Sequence, residues 1–114
     1  MTQQNTLLQI TRYGMGDGDK ELALKLITNY FKLLIEDNRW PKIITFYNEG
    51  VKLLTDDHAV VAHLKILEEK GVKLMACTTC LEHYGIAKKI AVGIKGTMMD
   101  IITLQANADK VINL

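Results

Sequence analysis

Proline occurs once, at Pro41, and cysteine twice, at Cys77 and Cys80. Two cysteines cannot build the disulfide framework of a small secreted domain. No apolar run approaches the length of a membrane span. The opening residues, Met1-Thr2-Gln3-Gln4-Asn5, lack a basic segment leading into an apolar one, so no secretory signal is expected. An excess of one charge is also lacking. Fourteen basic residues stand against 13 acidic ones, and Lys88-Lys89 is the only basic doublet, read as a solvated helix end. That balance gives no general attraction to nucleic acid or to an anionic membrane, and neither is expected as a partner.

The 114 residues are 48% hydrophobic and 24% charged, as in one globular domain over residues 1–114 that can bury its own core. The expected setting is cytoplasmic. In a reducing compartment two cysteines point to reactive or metal-binding thiols rather than to a structural disulfide.

Strand and helix signals alternate along the chain. Residues 7–11 form a first expected strand, broken by Gly14, Gly16 and Gly18, with Asp17 or Asp19 able to cap the helix that follows. Leu22, Leu26, Ile27, Tyr30, Phe31, Leu34 and Ile35 recur at helical spacing as its apolar face. Residues 43–47 read as a second strand and Asn48-Glu49-Gly50 as a turn. Thr55, Asp56 and Asp57 offer caps for a second helix through Val60, Val61, Leu64 and Leu67, stopped at Gly71. Residues 72–76 read as the third strand, a short helix is expected from Thr79, and residues 90–93 read as a brief fourth strand. Thr97 can cap a last helix, with Met98 and Met99 expected in the core, and residues 110–114 close as a fifth strand. Without hairpin turns between strands, this pattern predicts a three-layer α/β/α domain with a five-stranded, mainly parallel sheet. In such sheets binding groups gather at the carboxyl ends of the strands, which places residues 14–19, 47–50 and 76–80 on one edge.

Cys77 directly follows the third strand in Cys77-Thr78-Thr79-Cys80. Thr79 and Glu82 fit a capping box, which would put Cys80 at the first helical position, where free N–H groups and the helix dipole favour a thiolate. Either cysteine alone reads as a packed core thiol. The pair, at a strand-to-helix edge, reads as chemistry. A thioredoxin-type dithiol would need a proline facing the cysteines, and Pro41 falls at the wrong end of the sheet. A structural zinc site wants four ligands, and the pair with His83 supplies at most three. A cysteine carrying sulfur as a persulfide needs an accessible thiolate and a neighbour to assist release, and the motif offers both. The Gly14-x-Gly16-x-Gly18 loop departs from dinucleotide spacing, lacks a phosphate-binding lysine and carries two aspartates, so it reads as a turn and cap. No metal and no cofactor is expected. The competing class is a non-catalytic module that binds a small ligand or a protein, with both thiols packed.

Several segments together resemble a known family. They are residues 16–22, 41–53 and 67–72, then Cys77-Thr78-Thr79-Cys80-Leu81, Gly85 and residues 108–112. These are similar to the DsrE-like domain of YedF-type proteins, which are sulfurtransferase-like and linked to selenium metabolism. The resemblance covers nearly the whole chain. It implies a sulfur or selenium relay, with Cys77 as the acceptor and Cys80 as the resolving partner. Asn48, Gly50, Gly16 and Thr79 would line the site edge. Thr78 and Ala23 stand where the family often has glycine, and Thr97 where asparagine is expected. YedF-like chains often carry an N-terminal domain of the SirA/TusA type, absent from this sequence, so the resemblance implies such a carrier supplied in trans. It also implies a homo-oligomer.

Overall fold

The computed structural model describes residues 4–55 and 59–114. Strands β1 (Gln4–Ile10), β2 (Pro41–Phe46), β3 (Lys73–Cys77), β4 (Ile94–Gly96) and β5 (Lys110–Asn113) alternate with four helices. These are α1 (Lys20–Glu36), α2 (Ala59–Glu69), α3 (Thr78–His83) and α4 (Met98–Asn107). The sheet has five strands in the order β4-β3-β2-β1-β5, and every neighbouring pair is parallel. The expected α/β architecture is the one that forms.

Parallel crossovers are right-handed. The steps from β1 through β4 run one way across the sheet, so α1, α2 and α3 lie on one face. The return from β4 to β5, beside β1, carries α4 across the other. Packing agrees. Leu8, Ile10, Ile44, Phe46, Leu74 and Ala76 form one core with Ile27 and Phe31 of α1, Leu64 and Leu67 of α2, and Leu81 of α3. On the opposite face Leu7, Gln9, Thr45 and Met75 are buried, and Gln105 of α4 donates to the Gln9 side-chain oxygen at 2.6 Å. Because β3 and β4 send their following helices to opposite faces, the topological switch point falls between their carboxyl ends.

Local chemistry fixes the ends of the elements. Gly14 has φ 131°, and a Cβ there would stand 2.6 Å from the Ala23 backbone, so only glycine lets this turn close on α1. Of the two expected caps for α1, Asp19 serves, accepting from the Leu22 N–H at 2.9 Å. Gly71, at φ 96°, ends α2 as expected. The capping box of α4 joins Thr97 to Asp100 in both directions.

Four expectations are corrected. The Met15 N–H donates to the Ala23 carbonyl at 3.0 Å and turns Ala23, Ile27 and Phe31 inward, leaving Leu22 and Leu26 exposed. The fourth strand is residues 94–96, because Gly93 has φ 87° and the Ala91 N–H is taken by the Leu54 carbonyl at 2.8 Å. Met98 and Met99 are 56% and 68% exposed, since α4 turns only Ile101 fully inward. The Thr55 hydroxyl donates to the Lys52 carbonyl at 2.9 Å, closing the preceding turn instead of capping α2. Asp56 and Asp57, the other caps expected for that helix, lie outside the described residues, as does His58.

Candidate functional site: a cysteine pair at a strand end

β3 runs one residue further than its apolar run suggests, because Cys77 pairs with Gly96 of β4. Cys77 is extended, at φ −65° and ψ 118°, and is therefore the N-cap of α3. Thr78 begins the helix, and its hydroxyl donates to the Gly96 carbonyl at 2.9 Å, tying α3 to β4 at the switch point. The expected cap at Thr79 is thus displaced by two positions. Thr79 is exposed within the first turn, and Cys80 is the third helical residue rather than the first. An N-cap side chain faces the third helical residue. Here that relation sets the two thiols beside each other, close enough for Cys77 to act on the Cys80 thiol.

Their surroundings differ. Cys77 is 3% exposed, whereas Cys80 is half-buried. The Cys80 sulfur accepts the backbone N–H of Asn48 at 3.0 Å. Asn48 sits at φ 52°, a left-handed conformation that asparagine tolerates better than most residues. The Tyr47 N–H still pairs with the Ile10 carbonyl at 3.1 Å, so the kink at Asn48 turns the next N–H out of the ladder and toward the sulfur. Behind it, Tyr84 donates its hydroxyl to the Asn48 side-chain oxygen at 3.1 Å. The Lys52 ammonium lies 4.4 Å from the centre of the Tyr84 ring and pairs with Glu49 at 3.3 Å. A short 3-10 turn, Asn48–Leu54, carries three of these groups.

Burial pushes the Cys80 thiol up from its ordinary range. The Asn48 N–H pulls the other way, and Cys77 adds to the rise. The folded chain therefore favours the protonated form of Cys80, which runs against the expectation of a Cys80 thiolate favoured by the helix start. α3 has only six residues, and its dipole does not offset desolvation.

Among the expected site residues, Cys77, Cys80 and Asn48 come together. Gly50 is placed by packing, since a Cβ would collide with the Ile10 carbonyl oxygen, and this close approach seats the 3-10 turn on the end of β1. Gly16, at φ 80°, belongs to the turn whose backbone closes on α1. Tyr84 and Lys52 were not among the expected residues. For Tyr84 the spacing carried a signal, because it stands four residues after Cys80, on the same side of the α3 turn. Among the described residues no three His, Cys, Asp or Glu side chains are grouped to hold a metal ion.

The sequence model of the DsrE/DsrF-like family matches residues 6–114, and the chain belongs to that family. Solved structures share the fold. The ychN protein of E. coli aligns at 19% identity and TM-score 0.67, over 96% of this chain and 98% of its own. MTH1491 of Methanobacterium thermoautotrophicum, a protein of unknown function, aligns at 19% and 0.69, over 96% and 97%. BT1422 of Bacteroides thetaiotaomicron, also of unknown function, aligns at 18% and 0.67, over 96% and 95%. No curated protein matches the chain. No helix among the described residues is long and apolar enough to cross a membrane.

Proposed function

We propose that this protein is a YedF-type relay that carries a sulfane sulfur, or selenium in its place, on the Cys77–Cys80 pair in the cytoplasm. A carrier of the SirA/TusA type, supplied in trans, exchanges sulfur with it. The observation that carries the reading is the meeting of the two thiols, one buried and one half-exposed, at the switch point, with a backbone N–H on the outer sulfur atom of the pair. A persulfide is more acidic than its parent thiol, so loading favours the anion, and the Asn48 N–H stands at the half-exposed sulfur of the pair. The neighbouring thiol supplies a route for release. Membership of the DsrE/DsrF-like family supports the same chemistry.

The test is transfer. The chain is loaded with inorganic polysulfide, desalted and mixed with a purified SirA/TusA-type protein, and both intact masses are followed. One sulfur atom lost here and gained on the partner is expected. Loss only as free hydrosulfide would reject the relay.

We also propose a homo-oligomer. The exposed Met98, Met99 and Ile102 on α4 support it, as apolar side chains left unpaired in one copy. Light scattering at several concentrations tests it, and a constant monomer mass would reject it.

The competing reading, a binding module with packed thiols, draws on the burial of Cys77 and the raised Cys80 thiol. Thiols that resist alkylation in the folded chain, together with no sulfur loading, would decide for it.

A further inference from the structure

Resting on the relay reading, we infer that Cys80, not Cys77, is the thiol that takes up sulfur, and that Tyr84 is a positioning residue that holds the Asn48 N–H on it. Space argues first. A persulfide adds an outer sulfur atom to the loaded side chain, and that atom must face both donor and acceptor. Cys77 is 3% exposed and packed at the end of β3, where a further heavy atom would displace its neighbours. Cys80 is half-buried and already faces the surface.

Hydrogen bonding argues second. The Asn48 N–H reaches the Cys80 sulfur, and it does so only while Asn48 stays left-handed. Such backbone strain persists where the surroundings fix it. The fixing group is the Tyr84 hydroxyl on the Asn48 side chain. Tyr84 is itself steadied by the Lys52 ammonium over its ring and by His83, whose ring meets it edge-on at 5.0 Å. Cys80 lies in the short helix that Tyr84 caps, and Asn48 and Lys52 in one 3-10 turn, so the latch joins two segments from separate parts of the chain at the thiol.

The steps balance. The Cys80 thiolate attacks the outer sulfur of a donor persulfide, R–S–SH. The donor's S–S bond breaks, R–S⁻ leaves and is protonated, and Cys80 becomes Cys80–S–SH. In relay, an acceptor thiolate attacks that outer sulfur and Cys80 leaves as its own thiolate. Without an acceptor, the Cys77 sulfur attacks the Cys80 Sγ and expels hydrosulfide, leaving a Cys77–Cys80 disulfide. An external dithiol then reduces that disulfide and is itself oxidised.

The experiment loads Cys77→Ser and Cys80→Ser with inorganic polysulfide and reads intact mass. Cys77→Ser should gain sulfur and Cys80→Ser should not. The reverse pattern would overturn the assignment while leaving the relay reading standing, whereas loading of a chain lacking both cysteines would sink that reading itself. The latch is tested in the Cys77→Ser background by the pH profile of Cys80 alkylation with iodoacetamide. Tyr84→Phe keeps the ring and removes only the hydroxyl. It should move the profile to higher pH and slow alkylation at neutral pH about fivefold, the scale of one hydrogen bond. Asn48→Gly, which relaxes the turn, should do the same, and the double variant should add nothing further. An unchanged profile in Tyr84→Phe, or full additivity, would overturn the positioning role.

Discussion

On the face covered by α1 and α2, the sheet presents Leu8, Ile10, Ile44, Phe46 and Leu74 to Ile27, Phe31, Leu64 and Leu67, all almost fully buried. On the face covered by α4 it presents Leu7, Gln9, Thr45 and Met75, and Ile101 is the buried apolar residue of the covering helix. Gln9 there is bonded to Gln105, and the Thr45 hydroxyl is buried with no hydrogen-bond partner among the described residues. The first face is where hydrophobic burial stabilises the fold. The second carries polar groups at a cost and leaves Met98 and Met99 of its helix exposed. The cysteine pair lies at the strand end where the chain passes from one kind of covering to the other, so its chemistry does not compete with the main core.

The comparison breaks most easily at the first face. Phe31→Ala should cost about 3–5 kcal/mol in urea unfolding, the usual cost of emptying an aromatic site. A loss no larger than that of a surface change would show that this face is not the main source of stability. At the entry to α4, Thr97→Ala removes the cap and should cost about 1 kcal/mol. Under the second face Thr45→Val should stabilise the protein by about 1 kcal/mol, because it removes a buried hydroxyl that has no partner. Destabilisation there would mean that the hydroxyl is bonded in solution. Met99→Ser should change the unfolding free energy of a single copy by less than about 0.5 kcal/mol, as exposed substitutions do.

Titration sharpens the same contrast. The Cys80 thiol is raised in the folded chain, so between the ordinary cysteine value and its folded value the native state holds a proton that the unfolded state has lost. Its contribution to stability is present below that window and falls as pH rises through it. Stability followed from neutral to alkaline pH should decline less in Cys80→Ser than in the wild type. Asp100 runs the other way. The Thr97 backbone and side chain hold its carboxyl below the ordinary value, so its contribution is present above the unfolded value and is lost as acid protonates it.

The sheet was legible because apolar runs and turn residues alternate strongly, and the caps at Asp19 and Thr97 follow directly from their side chains. β4 was not, because it is a short edge strand with Ile94 and Lys95 exposed, while the apolar segment before it packs as loop, with Val92 buried. The Thr79–Glu82 capping pattern misled because strand pairing decides where β3 stops, and pairing with Gly96 is invisible locally. The cysteine pair and Asn48 were visible as a motif. The hydrogen bond between them spans 32 residues, and the pull of burial on Cys80 depends on packing that no local pattern encodes.

Sulfur loading tests the central claim most directly. The wild-type chain and the Cys77→Ser/Cys80→Ser double variant are exposed to inorganic polysulfide, desalted and weighed intact. A wild type whose mass changes, by one added sulfur atom or by the loss of two hydrogens where Cys77 has expelled that sulfur and closed the Cys77–Cys80 disulfide, each change reversed by dithiothreitol, beside an unchanged double variant is the predicted result. The same mass change in both chains, a gain or none, would contradict a sulfur-carrying site at this strand end.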